Sequence, residues 1–140
     1  MADSFKLQRF IEAQEPVYRN VVAELRGGAK RSHWMWFIFP QLAGLGSSAT
    51  SQYFAIRSVA EAQAYDGHPL LGQRLRECFG LVLASGLPIV RVFPHPDDLK
   101  YHSSATLFAA AVPAEALYTA ALDKGFAGRR DPLTVQHLQT

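Results

Sequence analysis

Asp98 and His102 stand four residues apart, so a helix through them puts a carboxylate and an imidazole on one face, one turn from each other. That spacing suits a pair of metal ligands. A bound ion needs at least a third, and His33, His68, His95 and His137 supply no companion pair, so no metal or other cofactor is implied. Ser103 or Thr106 beside His102 supplies the side-chain types of nucleophilic catalysis, which works only where hydroxyl, base and orienting group converge in space. The plainer reading of Asp98 is that it stabilises a helix start, where the dipole favours acids. Lys100 adds a cation to the same stretch.

The second concentration of chemistry is the aromatic run Trp34-Met35-Trp36-Phe37-Ile38-Phe39-Pro40, bracketed by His33 and Gln41. If extended, it sets Trp34, Trp36 and Ile38 against Met35, Phe37 and Phe39 and buries both faces. Large aromatics bury well and usually build cores. An apolar wall with a few convergent polar groups is also how small-molecule pockets are made. Both readings can hold together. The loop Gly44-Leu45-Gly46-Ser47-Ser48 that follows could present backbone amides to an anion. It lacks the Gly-Lys-Ser/Thr ending of a phosphate loop and reads equally as a turn.

Helices must position these groups. Leu7, Phe10, Ile11 and Gln14 follow a helical stripe after a cap at Asp3 or Ser4. Pro16 opens a second helix with Val17, Val21, Val22 and Leu25 on one face, stopped at Gly27-Gly28. Ser58-Val59-Ala60-Glu61 is a capping-box pattern. Pro69 starts the clearest helix, with Leu71, Leu75, Cys78, Phe79 and Val82 inward and Ser85-Gly86 at its end. Ile89 to Phe93 is strand-like but has no pairing partner, so it is read as a connector or helical turn. His95-Pro96-Asp97-Asp98 opens a helix with Leu99, Ser103, Thr106, Leu107 and Ala110 along one side. Pro113 begins the next, with Leu117, Ala121 and Leu122 inward, closed by Gly125. Asp131-Pro132 caps a last short one.

With 140 residues and 49% hydrophobic content the chain fits one globular domain, spanning residues 1–140, with a sizeable core. The net charge of +2 is scattered rather than gathered into a stripe, which argues against a nucleic-acid surface. The single cysteine, Cys78, cannot form an internal disulfide. No secretory leader or membrane-spanning run is read from the sequence, so the expected compartment is the cytoplasm.

Ser32-His33-Trp34-Met35-Trp36-Phe37-Ile38-Phe39-Pro40-Gln41-Leu42 with Gly44-Leu45-Gly46 resembles the signature of the family called domain of unknown function eighteen-ten, whose members are often mislabelled calpastatin. Further matches run along the chain: Leu7, Arg9-Phe10, Ala13-Gln14, Tyr53, Ala55-Ile56, His68-Pro69, Leu71-Gly72, Arg74-Leu75, Asp98, Lys100, Ser103-Ser104, Thr106-Leu107-Phe108 and Asp131. Ala105 and Tyr101-His102 depart from the expected pattern. The resemblance implies a multihelical fold and brings no reaction, ligand or partner with it. The expectation is therefore an all-α domain of about six or seven helices, not an up-down bundle, with the tryptophan segment through its middle. Its leading function is small-molecule binding at a site of His33, Trp34, Trp36, Gln41, Asp98, Lys100 and Ser103, where the aromatic surface with Lys30, Arg31 and Lys100 suits a nucleotide-like or other anionic ligand. Whether such a site also catalyses a reaction is open. The competing expectation is an interaction module or homo-oligomer joined through exposed aromatics.

Overall fold

Side-chain caps fix several helix starts. Ser48, Ser58, Glu115 and Asp131 each accept a backbone N–H from the first turn of the helix that follows. The structure, a computed structural model, describes residues 3–139. Among them lie ten helices: α1 (Gln8–Gln14), α2 (Tyr18–Arg26), α3 (Met35–Ile38), α4 (Ala49–Tyr53), α5 (Val59–Gly67), α6 (Leu71–Ser85), α7 (Ile89–Val92), α8 (Asp97–Ala111), α9 (Ala116–Phe126) and α10 (Pro132–Leu138). No strand occurs among the described residues, and an isolated parallel bridge pairs Leu42 with Ile56. No helix among them is long and apolar enough to cross a membrane.

The all-α, single-domain expectation holds, but the count of six or seven is too low. The seven longer helices are the ones the stripes and caps mark. The other three, α3, α4 and α7, have four or five residues each. One turn is too short to leave a periodic stripe. The aromatic run is accordingly a helical turn, not an extended segment: Trp34, Met35, Ile38 and Phe39 are buried while Trp36 and Phe37 are half-buried. In the segment Ile89 to Phe93, Ile89–Val92 form the helical turn α7 and Phe93 ends it.

Several boundaries and one stripe also differ. Pro16 and Pro69 lie in the turns before α2 and α6, which start at Tyr18 and Leu71. Helix α9 starts at Ala116, capped by Glu115, and Pro113 lies in the turn before it. Its end is Ala127, in the left-handed region at φ 55°, with Gly125 inside the helix. The Ser58 hydroxyl caps the Glu61 amide as expected, but the Glu61 carboxylate turns to the Arg57 amide and to Arg9. Helix α8 has no single inward side: Leu99 and Ala110 are exposed, while Tyr101 and Ser103 to Ala109 are all buried.

That helix is the axis of the fold. Helices α3, α5, α7, α9 and α10 pack on it, and α6 closes the far side against α2, α5 and α9. An aromatic nest joins the two layers, centred on Phe39. Its ring meets Phe79, Tyr101 and Phe93 edge-on at centroid distances of 5.0, 5.3 and 5.5 Å, with Trp34 at 6.2 Å. The tryptophan segment thus does run through the middle.

Glu24 on α2 holds the entrance to that segment. Its carboxylate accepts the amides of Arg31 and Ser32, the Ser32 hydroxyl and the Trp34 indole N–H, at 2.6–3.0 Å. Burial opposes the charge, but these four donors outweigh it and draw the Glu24 pKa from 4.5 down to about 2. The folded value lies below the unfolded one. The stabilisation is therefore present above pH 4.5 and drains as pH falls towards about 2. Glu24→Gln is expected to lose roughly 1–3 kcal/mol at neutral pH, and the gap from wild type should shrink on acidification through that window. Denaturant unfolding at a series of pH values checks it, and a gap independent of pH contradicts it.

Cys78 lies on the buried stripe of α6, 3.8 Å from the Tyr18 hydroxyl. Burial pushes its thiol up to about 12, so little thiolate is available for reaction. Native protein should resist a thiol reagent that labels the unfolded chain quickly. Fast native labelling would show that the stripe faces outward.

Candidate functional site

Two satisfied hubs build the walls of a cleft around Trp36. The first is Arg9, whose guanidinium donates to the carbonyls of Phe5, Lys6, Tyr53 and Ala55 and pairs with Glu61 at 2.8 Å. It clamps the 53–57 segment to α1. The bridge beside it is reciprocal: Ile56 N–H donates to Gln41 O at 2.8 Å and Ala43 N–H to Ile56 O at 2.7 Å. The second hub is Gln14, whose amide donates to Phe37 O at 2.8 Å and to the Tyr65 hydroxyl at 2.9 Å. It holds the C-terminal end of α3 against α1.

Trp36 stands between two recesses. The inner one, about 220 Å³, is bordered by Trp36, Gln41, the Gly44–Gly46 loop, Ser51, Phe54 and Arg57. The loop comes so close that a Cβ on Gly46 would sit 2.7 Å from Ser51 and 3.3 Å from the Trp36 ring, so only glycine fits there. The outer recess, about 150 Å³, is bordered by Lys30, His33, Trp34, Trp36, Thr50, Asp97 and Lys100. Its electrostatics centre on Asp97, which pairs with Lys30 at 2.8 Å and Lys100 at 3.2 Å. Burial works against the Asp97 charge, but the two ammonium groups hold its carboxyl below the usual range. Two cations on one anion leave the recess with an excess positive charge. Each lysine also covers a tryptophan: Lys30 Nζ lies 5.2 Å from the Trp34 ring centroid and Lys100 Nζ 4.4 Å from that of Trp36.

Gln41 is 7% exposed, and its Nε2 has no hydrogen-bond partner. Within the inner recess it is an unsatisfied donor beside an aromatic wall. Arg57 is exposed and its guanidinium makes no ion pair among the described residues, so a free cation lies nearby.

Of the seven residues singled out from the sequence, five gather here: His33, Trp34, Trp36 and Lys100 at the outer recess, Trp36 again with Gln41 at the inner. Trp34 contributes only an edge, being 1% exposed and tied to Glu24. Asp98 and Ser103 are held elsewhere. Asp98 pairs with His95 at 3.0 Å. Ser103 donates to Thr134 Oγ1 at 2.9 Å, which donates in turn to Asp131. This chain latches α10 to α8. His102 does not meet Asp98 either: it stacks on Phe126 at 3.7 Å and donates to Arg129 O at 2.7 Å. No cluster of three or more potential metal ligands exists among the described residues.

Lys30, expected as a cation for the ligand, lines the outer recess; Thr50, Asp97 and Arg57 line the recesses and were not singled out. Helical phase favours Asp97 over Asp98, since Asp97 shares a face with Lys100 three residues on. Arg57 and Thr50 carried no local signal, because the bridge and the Arg9 clamp bring them in.

Residues 4–138 match the family described as "Protein of unknown function (DUF1810)". The chain is also similar to a crystal structure of a conserved hypothetical protein from Mycobacterium tuberculosis, at 54% identity, with 99% of each chain covered and a TM-score of 0.96. No curated protein matches it. With the match running from α1 into α10 and taking in every residue of the Trp36 cleft, this chain belongs to that DUF1810 family.

Proposed function

We propose that this protein binds a small anionic molecule in the cleft divided by Trp36. The observation that carries the reading is the Gln41 carboxamide, buried at the inner recess with its N–H group unpaired. A buried donor without a partner costs about 1–3 kcal/mol, a penalty that a ligand oxygen removes. Trp36 supplies a flat apolar surface, and Arg57 and the Lys30/Lys100 pair supply positive charge on either side of it. A compact group stacked on Trp36 and carrying carboxylate or phosphate oxygens meets all three conditions, which keeps a nucleotide-like ligand within the reading. A cytoplasmic setting belongs to the same proposal, supported by the lone buried cysteine. The rival reading, an interface of exposed aromatics, finds no support in the aromatic run, where Trp34 is buried and Trp36 half-buried.

The variant that tests this is Gln41→Met, similar in shape but without the amide. It is expected to melt at the same temperature as wild type or higher, since function and stability conflict at such a site. A thermal-shift panel of nucleoside monophosphates, sugar phosphates and small carboxylates should stabilise the wild type, and the variant should bind the responding compound at least about tenfold more weakly. Lys100→Ala should weaken the anionic compounds alone. If Gln41→Met instead loses roughly 2 kcal/mol or more and no compound shifts the wild type, the amide is structural and the reading fails.

A further inference from the structure

A second buried donor lies within the aromatic nest itself. Tyr101 is wholly buried, with its ring against Phe93 at 4.9 Å and against Phe39 and Phe79 at 5.3 Å. Its hydroxyl has no hydrogen-bond partner. Burial pushes the phenol well above its ordinary pKa, so the group stays protonated and remains a donor at neutral pH. A phenylalanine would fill the same place without an unpaired hydroxyl.

Tyr101 also borders a recess of about 440 Å³ between the C-terminal turn of α6, the 86–89 segment and α9. Its walls are apolar, from Val82, Leu87, Ile89 and Ala121, and Lys124 stands at its exposed rim, donating to Leu83 O at 3.2 Å. This volume falls within the range of small-molecule sites, and an apolar lining with few polar groups is their usual build. None of these residues borders the Trp36 cleft, so the two recesses are separate.

We propose that this recess is a second binding site, for a small apolar molecule whose neutral oxygen, a carbonyl or hydroxyl, accepts the hydrogen bond of Tyr101. Neutrality follows from the lining: the one cation is at the rim and already engaged, so a buried carboxylate or phosphate would lie against apolar walls without a counter-charge. The site does not depend on the function proposed for the Trp36 cleft.

Prodan, a fluorescent naphthyl ketone, tests this on the intact protein. Saturable binding with blue-shifted emission is expected for the wild type. Tyr101→Phe should melt no lower than wild type and bind prodan about five- to tenfold more weakly, while an alkylnaphthalene lacking the carbonyl binds both proteins equally. Ala121→Leu, which fills the recess, should exclude both compounds. Gln41→Met should leave prodan binding unchanged, which separates this site from the cleft. The proposal is overturned if prodan shows no saturable binding, if Tyr101→Phe binds it as tightly as wild type, or if Ala121→Leu folds and binds it undiminished.

Discussion

Between Tyr101 and Ala109, α8 has no solvent face: every residue there is buried except half-buried His102. A helix enclosed on all sides must use small side chains where neighbours approach and must satisfy its hydroxyls internally. Ser103, Ser104, Ala105 and Ala109 meet the first demand. The second shapes the C-terminal part of the chain. Thr106 donates back to His102 O and accepts the Asp131 amide, while Ser103 donates into the Thr134–Asp131 pair. The hydroxyls of Ser103 and Thr106 thereby become the seat of α10. The first turn of α8 reaches the surface, and there Asp97 and Lys100 border one recess with Lys30, His33 and Trp36. The cleft lies where the central helix emerges from the core.

Polar satisfaction separates scaffold from site. Glu24 accepts four donors, Arg9 makes five hydrogen bonds, and Gln14 serves Phe37, Tyr65 and Arg74. Each of these charged or amide groups holds a wall in place. Against that background, three buried side-chain atoms among the described residues lack partners: Gln41 Nε2, the Tyr101 hydroxyl and the Ser104 hydroxyl. The first two border separate recesses that share no lining residue. Ser104 borders neither, and nothing in the structure explains its unpaired hydroxyl.

The legible part of the fold was the part written in period and caps. The α6 stripe and the Asp131-Pro132 start follow from local rules, while Ile89 to Phe93 is locally strand-like and becomes a helical turn for want of a strand to pair with. The short helices α3 and α4 do not, because tertiary contacts such as Gln14 on Phe37 O decide them. The all-round burial of α8 was hidden because Leu99, Ser103, Thr106, Leu107 and Ala110 read as one side, whereas internal bonds let Ser103 and Thr106 be buried among neighbours on every side. Gly72 shows the same limit. A Cβ there would stand 1.9 Å from Asp66 O, a close approach of α5 and α6 that the Pro69 signal leaves unstated. At the site, chemical type was readable and convergence was not. Trp36, Gln41 and Lys100 stood out by their surroundings in the sequence. Lys30 stood out as a cation, but its place is set by its N–H bond to Val92 O, and Arg57 arrives through the Leu42–Ile56 bridge, both contacts distant in sequence.

The most direct measurement of the central claim is the side-chain amide resonance of Gln41 by nitrogen–proton correlation, recorded on isotope-labelled protein before and after adding the best binder of the anionic panel. The account predicts a weakly protected amide in the free protein that shifts downfield and exchanges more slowly on binding, as its N–H takes a ligand oxygen. An amide already protected in the free protein, unchanged by any compound, would mean that Gln41 is satisfied within the fold and that the Trp36 cleft holds no ligand.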